Sequence, residues 1–124
     1  MSHDIIADIL NKIMNGKNAG KKTVESRIVS KPMTKVMEIA KTKGYIKEFK
    51  IEDKKMVIEI GEINKCGAIK PRYYVKKDGI IKYLKRYLPA KDMGILIIST
   101  NKGMMTHYEA IEQKLGGCLI AYFY

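Results

Sequence analysis

A chain of 124 residues, 46% hydrophobic and 30% charged, has apolar side chains enough for a core and charge enough for a solvated surface, which excludes a disordered chain. Its 24 Lys+Arg against 13 Asp+Glu give a formal charge of +11, an excess that draws polyanions such as nucleic acid or an anionic membrane. The membrane is excluded in turn: no apolar run approaches the roughly 20 residues that span a bilayer, and Asp4 and Asp8 stand where a signal peptide carries basic residues.

The first expected element is a helix. Ile5, Ile6, Ile9, Leu10, Ile13 and Met14 recur at helical spacing and leave Asp8, Asn11 and Lys12 outward. Asn15-Gly16 is its expected stop. A basic loop follows over Asn18 to Lys22, then a short strand over Thr23 to Ile28. Ser30 is placed to cap a second helix, with Lys31 and Pro32 in its first turn. Met33, Val36, Met37 and Ala40 share one face of it, and Gly44 ends it. Tyr45, Phe49 and Ile51 fall mostly on one face of a strand; Glu52 to Lys55 make a turn, and Met56 to Ile60 return as the partner strand.

Between Gly61 and Gly67 the composition shifts from balanced charge to a basic stretch. The shift divides an N-terminal lobe, residues 1–64, from a C-terminal lobe, residues 65–124. From Lys65 to Lys91 nine residues are basic, namely Lys65, Lys70, Arg72, Lys76, Lys77, Lys82, Lys85, Arg86 and Lys91, and only Asp78 opposes them. Tyr73, Tyr74, Tyr83 and Tyr87 are interleaved. Cations neutralise phosphates, and tyrosine rings pack on ribose or bases. A solvated basic face with tyrosines half in the core is the plainer reading; the density and the interleaving favour nucleic acid.

From Gly94 a final unit begins. Ile95 to Ile98 is an apolar strand and Ser99-Thr100-Asn101-Lys102-Gly103 a polar turn. Thr106 and Glu109 form a capping box for a short helix to Leu115, Gly116-Gly117 ends it, and Cys118 to Tyr124 is a closing strand. The fold class is therefore α+β in two small lobes. The first is helix-strand-helix-hairpin, and the second is mostly β with a short helix.

The parts of an enzyme are missing. His3 and His107 are far apart, no Cys or His pair has zinc-ligand spacing, and no glycine-rich phosphate loop occurs. A Cys66–His107 nucleophile pair has nothing to support it. Asp4 and Asp8 share a helix face and either hold a metal ion or, the stronger reading, complement the helix N-terminus. Cys66 and Cys118 fit a cytoplasmic protein with reduced thiols. No catalysis, metal, cofactor or small-molecule substrate is expected.

The hydroxyl and amide side chains of Ser99 to Gly103 suit phosphates, 2′-OH groups and base edges. The helix start just beyond offers backbone N–H groups to an anion. The alternative is a turn whose hydroxyls satisfy only its own backbone. On spacing alone that alternative has the edge; beside a cationic stretch the two are level.

The run from Gly94 to Ala110, Gly-Ile-Leu-Ile-Ile-Ser-Thr-Asn-Lys-Gly-Met-Met-Thr-His-Tyr-Glu-Ala, followed by Gly116-Gly117, closely resembles the C-terminal signature of the universal small-subunit ribosomal protein eight family. Ile6-Ala7-Asp8-Ile9-Leu10-Asn11-Lys12-Ile13, Ser30-Lys31 and Gly44-Tyr45-Ile46 resemble its N-terminal half, so the likeness spans nearly the whole chain. Tyr87-Leu88-Pro89, Met105-Thr106-His107 and the end Tyr122-Phe123-Tyr124 look archaeal or eukaryotic, and length and lysine content lean archaeal.

The resemblance implies a primary binder of the central domain of small-subunit ribosomal RNA that helps assemble the platform beside ribosomal proteins five and seventeen. It implies RNA contacts at Ser99, Thr100 and Glu109; the family often has a second Ser where this chain has Asn101. The full candidate set is Ser99, Thr100, Asn101, Lys102, Gly103, Met105, His107, Glu109, Gly116 and Gly117, with Lys70, Arg72, Lys82, Arg86 and Tyr87 in the basic stretch and Lys31, Lys54 and Lys55 in the first lobe. The rivals are a free-standing regulator of its own messenger, an RNA-cutting enzyme, which lacks an acid–base pair, and a DNA-binding module, which lacks a recognition helix.

Overall fold

The computed structural model describes residues 5–69, 73–90 and 93–124. Expectations placed on His3, Asp4, Lys70, Arg72 and Lys91 lie outside the described residues. The chain divides into two compact units, Met1–Cys66 and Gly67–Tyr124.

In the first unit helix α1 covers Ile5–Asn18 and buries Ile6, Ile9, Leu10 and Ile13, the stripe that the apolar spacing sets. It runs through Asn15-Gly16. The actual stop is Gly20, at φ +76°. Its N–H donates to the Lys17 carbonyl and that of Lys21 to the Gly16 carbonyl, the nested bonds that close a helix on a left-handed residue. Gly16 serves a different need: a Cβ there would stand 2.5 Å from Val24 Cγ1, so only glycine lets the next strand come this close.

That strand, β1, is Thr23–Ser26 and ends short of Ile28. Ser30 caps helix α2 (Lys31–Thr42), accepting from the Met33 N–H at 3.3 Å, with Pro32 in the first turn. Met33, Val36, Met37 and Ala40 are all buried, and Gly44, at φ +86°, ends the helix as expected. Strands β2 (Ile46–Glu52) and β3 (Lys55–Ile60) form the expected hairpin. Its tip residues, Asp53 and Lys54, both have positive φ, the two-residue turn whose twist suits paired strands. The sheet order is β1-β3-β2, all antiparallel.

The second unit is built on a five-stranded sheet. Its strands are β4 (Cys66–Ala68), β5 (Tyr74–Val75), β6 (Ile95–Thr100), β7 (Gly103–Thr106) and β8 (Gly117–Phe123). The order is β4-β8-β6-β7, with β5 paired to the start of β8. Helix α3, Ile80–Tyr87, crosses the basic stretch, where the reading of charge and tyrosines assigns no element. Ile80, Leu84 and Leu88 recur every fourth residue and pack with Leu96, Ile98, Met105, Ala110 and Leu119 into the core of this unit. Strand β7 is likewise additional, since the expected order runs from the turn straight into the helix.

The short helix α4 is His107–Glu112. Thr106 caps it by accepting from the Glu109 N–H at 3.4 Å. It does not end at Gly116-Gly117. Lys114, at φ +57°, is the left-handed stop, with Lys114 N–H donating to Ile111 and Leu115 N–H to Ala110.

Candidate nucleic-acid interface

Alternation along β6 sends Leu96 and Ile98 into the core and Ser99 to the opposite face of the sheet. Strand register then fixes the neighbours of Ser99. Tyr74, Cys118, Ser99 and Met104 stand side by side across β5, β8, β6 and β7. Tyr74 is 69% exposed and the other three are half-buried. The row therefore brings a phenol ring, a thiol, a hydroxyl and a thioether side by side across the sheet. The Ser99 hydroxyl makes no hydrogen bond to any described residue, so it is free to donate and to accept.

Thr100 is differently placed. Its hydroxyl donates to the Gly103 carbonyl at 2.8 Å and accepts from the Lys102 N–H at 3.1 Å. Gly103 takes φ +109° to close the bend, with Asn101 and Lys102 exposed at its tip. Of the two hydroxyls that the sequence singles out, Thr100 shapes the turn and Ser99 takes no part in it.

The glycine pair explains why charge gathers at this end. A Cβ on Gly117 would lie 2.2 Å from the Ser99 carbonyl oxygen. A Cβ on Gly116 would lie 2.5 Å from the Val75 carbonyl oxygen and 3.0 Å from the Lys76 Cα. Backbone from both sides thus closes on these residues, so the end of β6 and the Lys76–Lys77 segment meet at the start of β8. Lys76, Lys77 and Lys102 are all exposed on the segments next to this end of the sheet.

Other candidates lie elsewhere. Lys82, Arg86 and Tyr87 sit on α3, which packs on the core face of the sheet, away from Ser99. Among the described residues, the basic stretch is therefore divided between the Lys76–Lys77 segment and α3 instead of backing the turn as one cluster. Met105 is 5% exposed and belongs to the core. His107 is 1% exposed; its Nδ1 accepts from the Leu96 N–H at 3.0 Å and its ring lies against Tyr108. Both residues therefore support the turn from within. Glu109 is exposed on α4, and Lys31, Lys54 and Lys55 are exposed in the first unit. Met104 and Cys118 escape sequence reasoning, and Tyr74 is legible there only as one of the interleaved tyrosines, because only the strand register brings them to Ser99.

The two thiols differ sharply. Cys66 is buried, its Sγ–H pointing to the Leu10 carbonyl at 3.7 Å, and burial pushes its pKa up to about 12. Raising the pKa in the folded state favours the neutral thiol. That contribution to stability is intact below the free-thiol range, about 8.5, and disappears as pH climbs from there to about 12. At pH 8 a maleimide should label one thiol per folded chain, at Cys118, and both only in denaturant. Rapid labelling of Cys66 in the folded chain would contradict this placement.

Among the described residues no cluster of His, Cys, Asp or Glu is arranged to hold a metal ion, and no helix is long and apolar enough to cross a membrane. A family model described as ribosomal protein S8 matches residues 4–124.

Proposed function

The chain belongs to the ribosomal protein S8 family, and from that premise we propose that it binds the central domain of small-subunit ribosomal RNA directly and helps assemble the platform. The family is one of ribosomal proteins that bind ribosomal RNA, not of enzymes. Direct binding through the C-terminal unit, early in assembly and beside ribosomal proteins five and seventeen, is the finer part of the proposal.

The observation that carries it is the Ser99 hydroxyl, unbonded to any described residue and set in a row beside segments that carry the exposed Lys76, Lys77 and Lys102. A-form RNA closes its major groove to side chains and displays 2′-OH groups in a shallow minor groove. An irregular internal loop adds unpaired bases and an unusual backbone path. A rigid hydroxyl and a flat ring suit such a surface, and the lysines supply affinity without sequence preference. Lys31, Lys54 and Lys55 would add phosphate contacts from the first unit.

Ser99→Ala with Thr100→Ala removes the free hydroxyl and unties the bend. Each hydrogen bond to a charged or buried partner is worth about 1–3 kcal/mol, so affinity for central-domain RNA should fall roughly 10- to 100-fold, with little change on a plain duplex. An equal loss on both RNAs would show that this turn does not read shape.

A further inference from the structure

A second surface of the C-terminal unit has the chemistry of an RNA contact and lies across the sheet from Ser99. Five tyrosines, Tyr73, Tyr83, Tyr87, Tyr122 and Tyr124, are half-buried against the core of this unit. Their rings stack in a strip: Tyr73 on Tyr83 at 5.7 Å, Tyr87 on Tyr122 at 5.7 Å, and Tyr122 on Tyr124 at 6.3 Å. The fold makes room for it, since a Cβ on Gly67 would stand 2.8 Å from the Tyr122 hydroxyl oxygen.

None of the five hydroxyls bonds to a described residue. A half-buried phenol ordinarily finds a partner. Here the rings are fixed by stacking while their polar tips are unspent, so a ligand would meet donors that cost little further ordering.

The charge beside the strip names the partner. Tyr83 and Tyr87 are one helical turn apart on α3, and Lys82 and Arg86 form a parallel file directly beside them. Both cations are exposed, α3 carries no carboxylate, and neither cation enters an ion pair among the described residues. Phenol O–H groups with a guanidinium and an ammonium match phosphate oxygens and ribose hydroxyls. A protein partner would need acidic side chains to the same end; a ribonucleotide backbone supplies the anions at regular spacing.

We propose that this tyrosine strip, flanked by Lys82 and Arg86, is a second RNA-backbone surface, so that the C-terminal unit holds two RNA segments on its opposite faces. The inference rests on the ribosomal RNA reading above and adds to it a bridging role.

The test uses the full chain and a small-subunit ribosomal RNA transcript. Tyr83→Phe, Tyr87→Phe and Tyr122→Phe together keep every ring and remove three hydroxyls. The triple variant should melt like the parent and bind the transcript about tenfold more weakly. Iron tethered at Cys118, and separately at a Lys85→Cys site in a Cys118→Ser background, should cleave two separate RNA segments. Unchanged affinity, or cleavage of one shared segment by both tethers, overturns the bridge. So does unchanged RNA affinity with weakened binding to a neighbouring ribosomal protein, which would assign the strip to protein. Failure of the parent chain to prefer the transcript over a plain duplex defeats the underlying reading instead.

Discussion

Gly117→Ala is expected to destabilise the C-terminal unit by about 3 kcal/mol, at the upper end for overpacking, and to abolish tight RNA binding even where the unit still folds. The reason is geometric. The added Cβ would sit 2.2 Å from the Ser99 carbonyl oxygen and 2.8 Å from its carbonyl carbon. These are backbone atoms of a paired strand and cannot rotate aside as a side-chain tip would. Relief requires β6 and β8 to part at Ser99↔Cys118, the pairing that aligns the row of the proposed RNA contact. Gly79→Ala is the control, because nothing lies within 4 Å of its Cβ position and its φ is −94°. It should shift stability by no more than about 0.5 kcal/mol, the usual range for an uncrowded surface site. Denaturant titration of both variants, with RNA binding measured on each, checks the claim. A Gly117→Ala chain as stable as its parent, still binding tightly, would mean that the crossing at Ser99 is loose.

Much of this arrangement is legible in the residues themselves. The Ser30 cap, Pro32 and Gly44 bracket the second helix correctly because each acts through local backbone chemistry. The type of the last short helix follows from Thr106 in the same way. Errors arise where one residue type has two uses. Gly16 and Gly117 resemble helix stops in sequence, yet both are contact points where a Cβ would strike a neighbour far along the chain. The residue that does end α4 is Lys114, which pays a left-handed φ that no spacing rule anticipates. Helix α3 is obscured by its own surface chemistry, since Lys82, Tyr83, Lys85, Arg86 and Tyr87 outnumber the apolar positions that seat it. The site is half legible for a related reason. Ser99 and Thr100 stand out by type, but that one is free and the other tied depends on which face of β6 each occupies.

His107→Phe separates a core role from an RNA role. The candidate set drawn from the sequence includes His107, whereas its ring is 1% exposed and its Nδ1 accepts the Leu96 N–H at 3.0 Å. Phenylalanine fills a similar volume and offers no acceptor, which strands a buried backbone N–H at the start of β6. Such a group costs about 1–3 kcal/mol, so the variant should unfold at lower denaturant. RNA affinity, measured well below the unfolding transition, should match the parent, because the ring is buried and bonded at the start of β6, whereas Ser99 lies near its end. His107→Gln restores a carbonyl acceptor and should recover part of the stability. A variant that keeps its stability and loses RNA affinity would place His107 at the interface and require α4 to swing outward on binding. Loss of stability alone, partly rescued by glutamine, fixes His107 as the residue that ties the α4 start to β6 and so holds the bend between β6 and β7 in register.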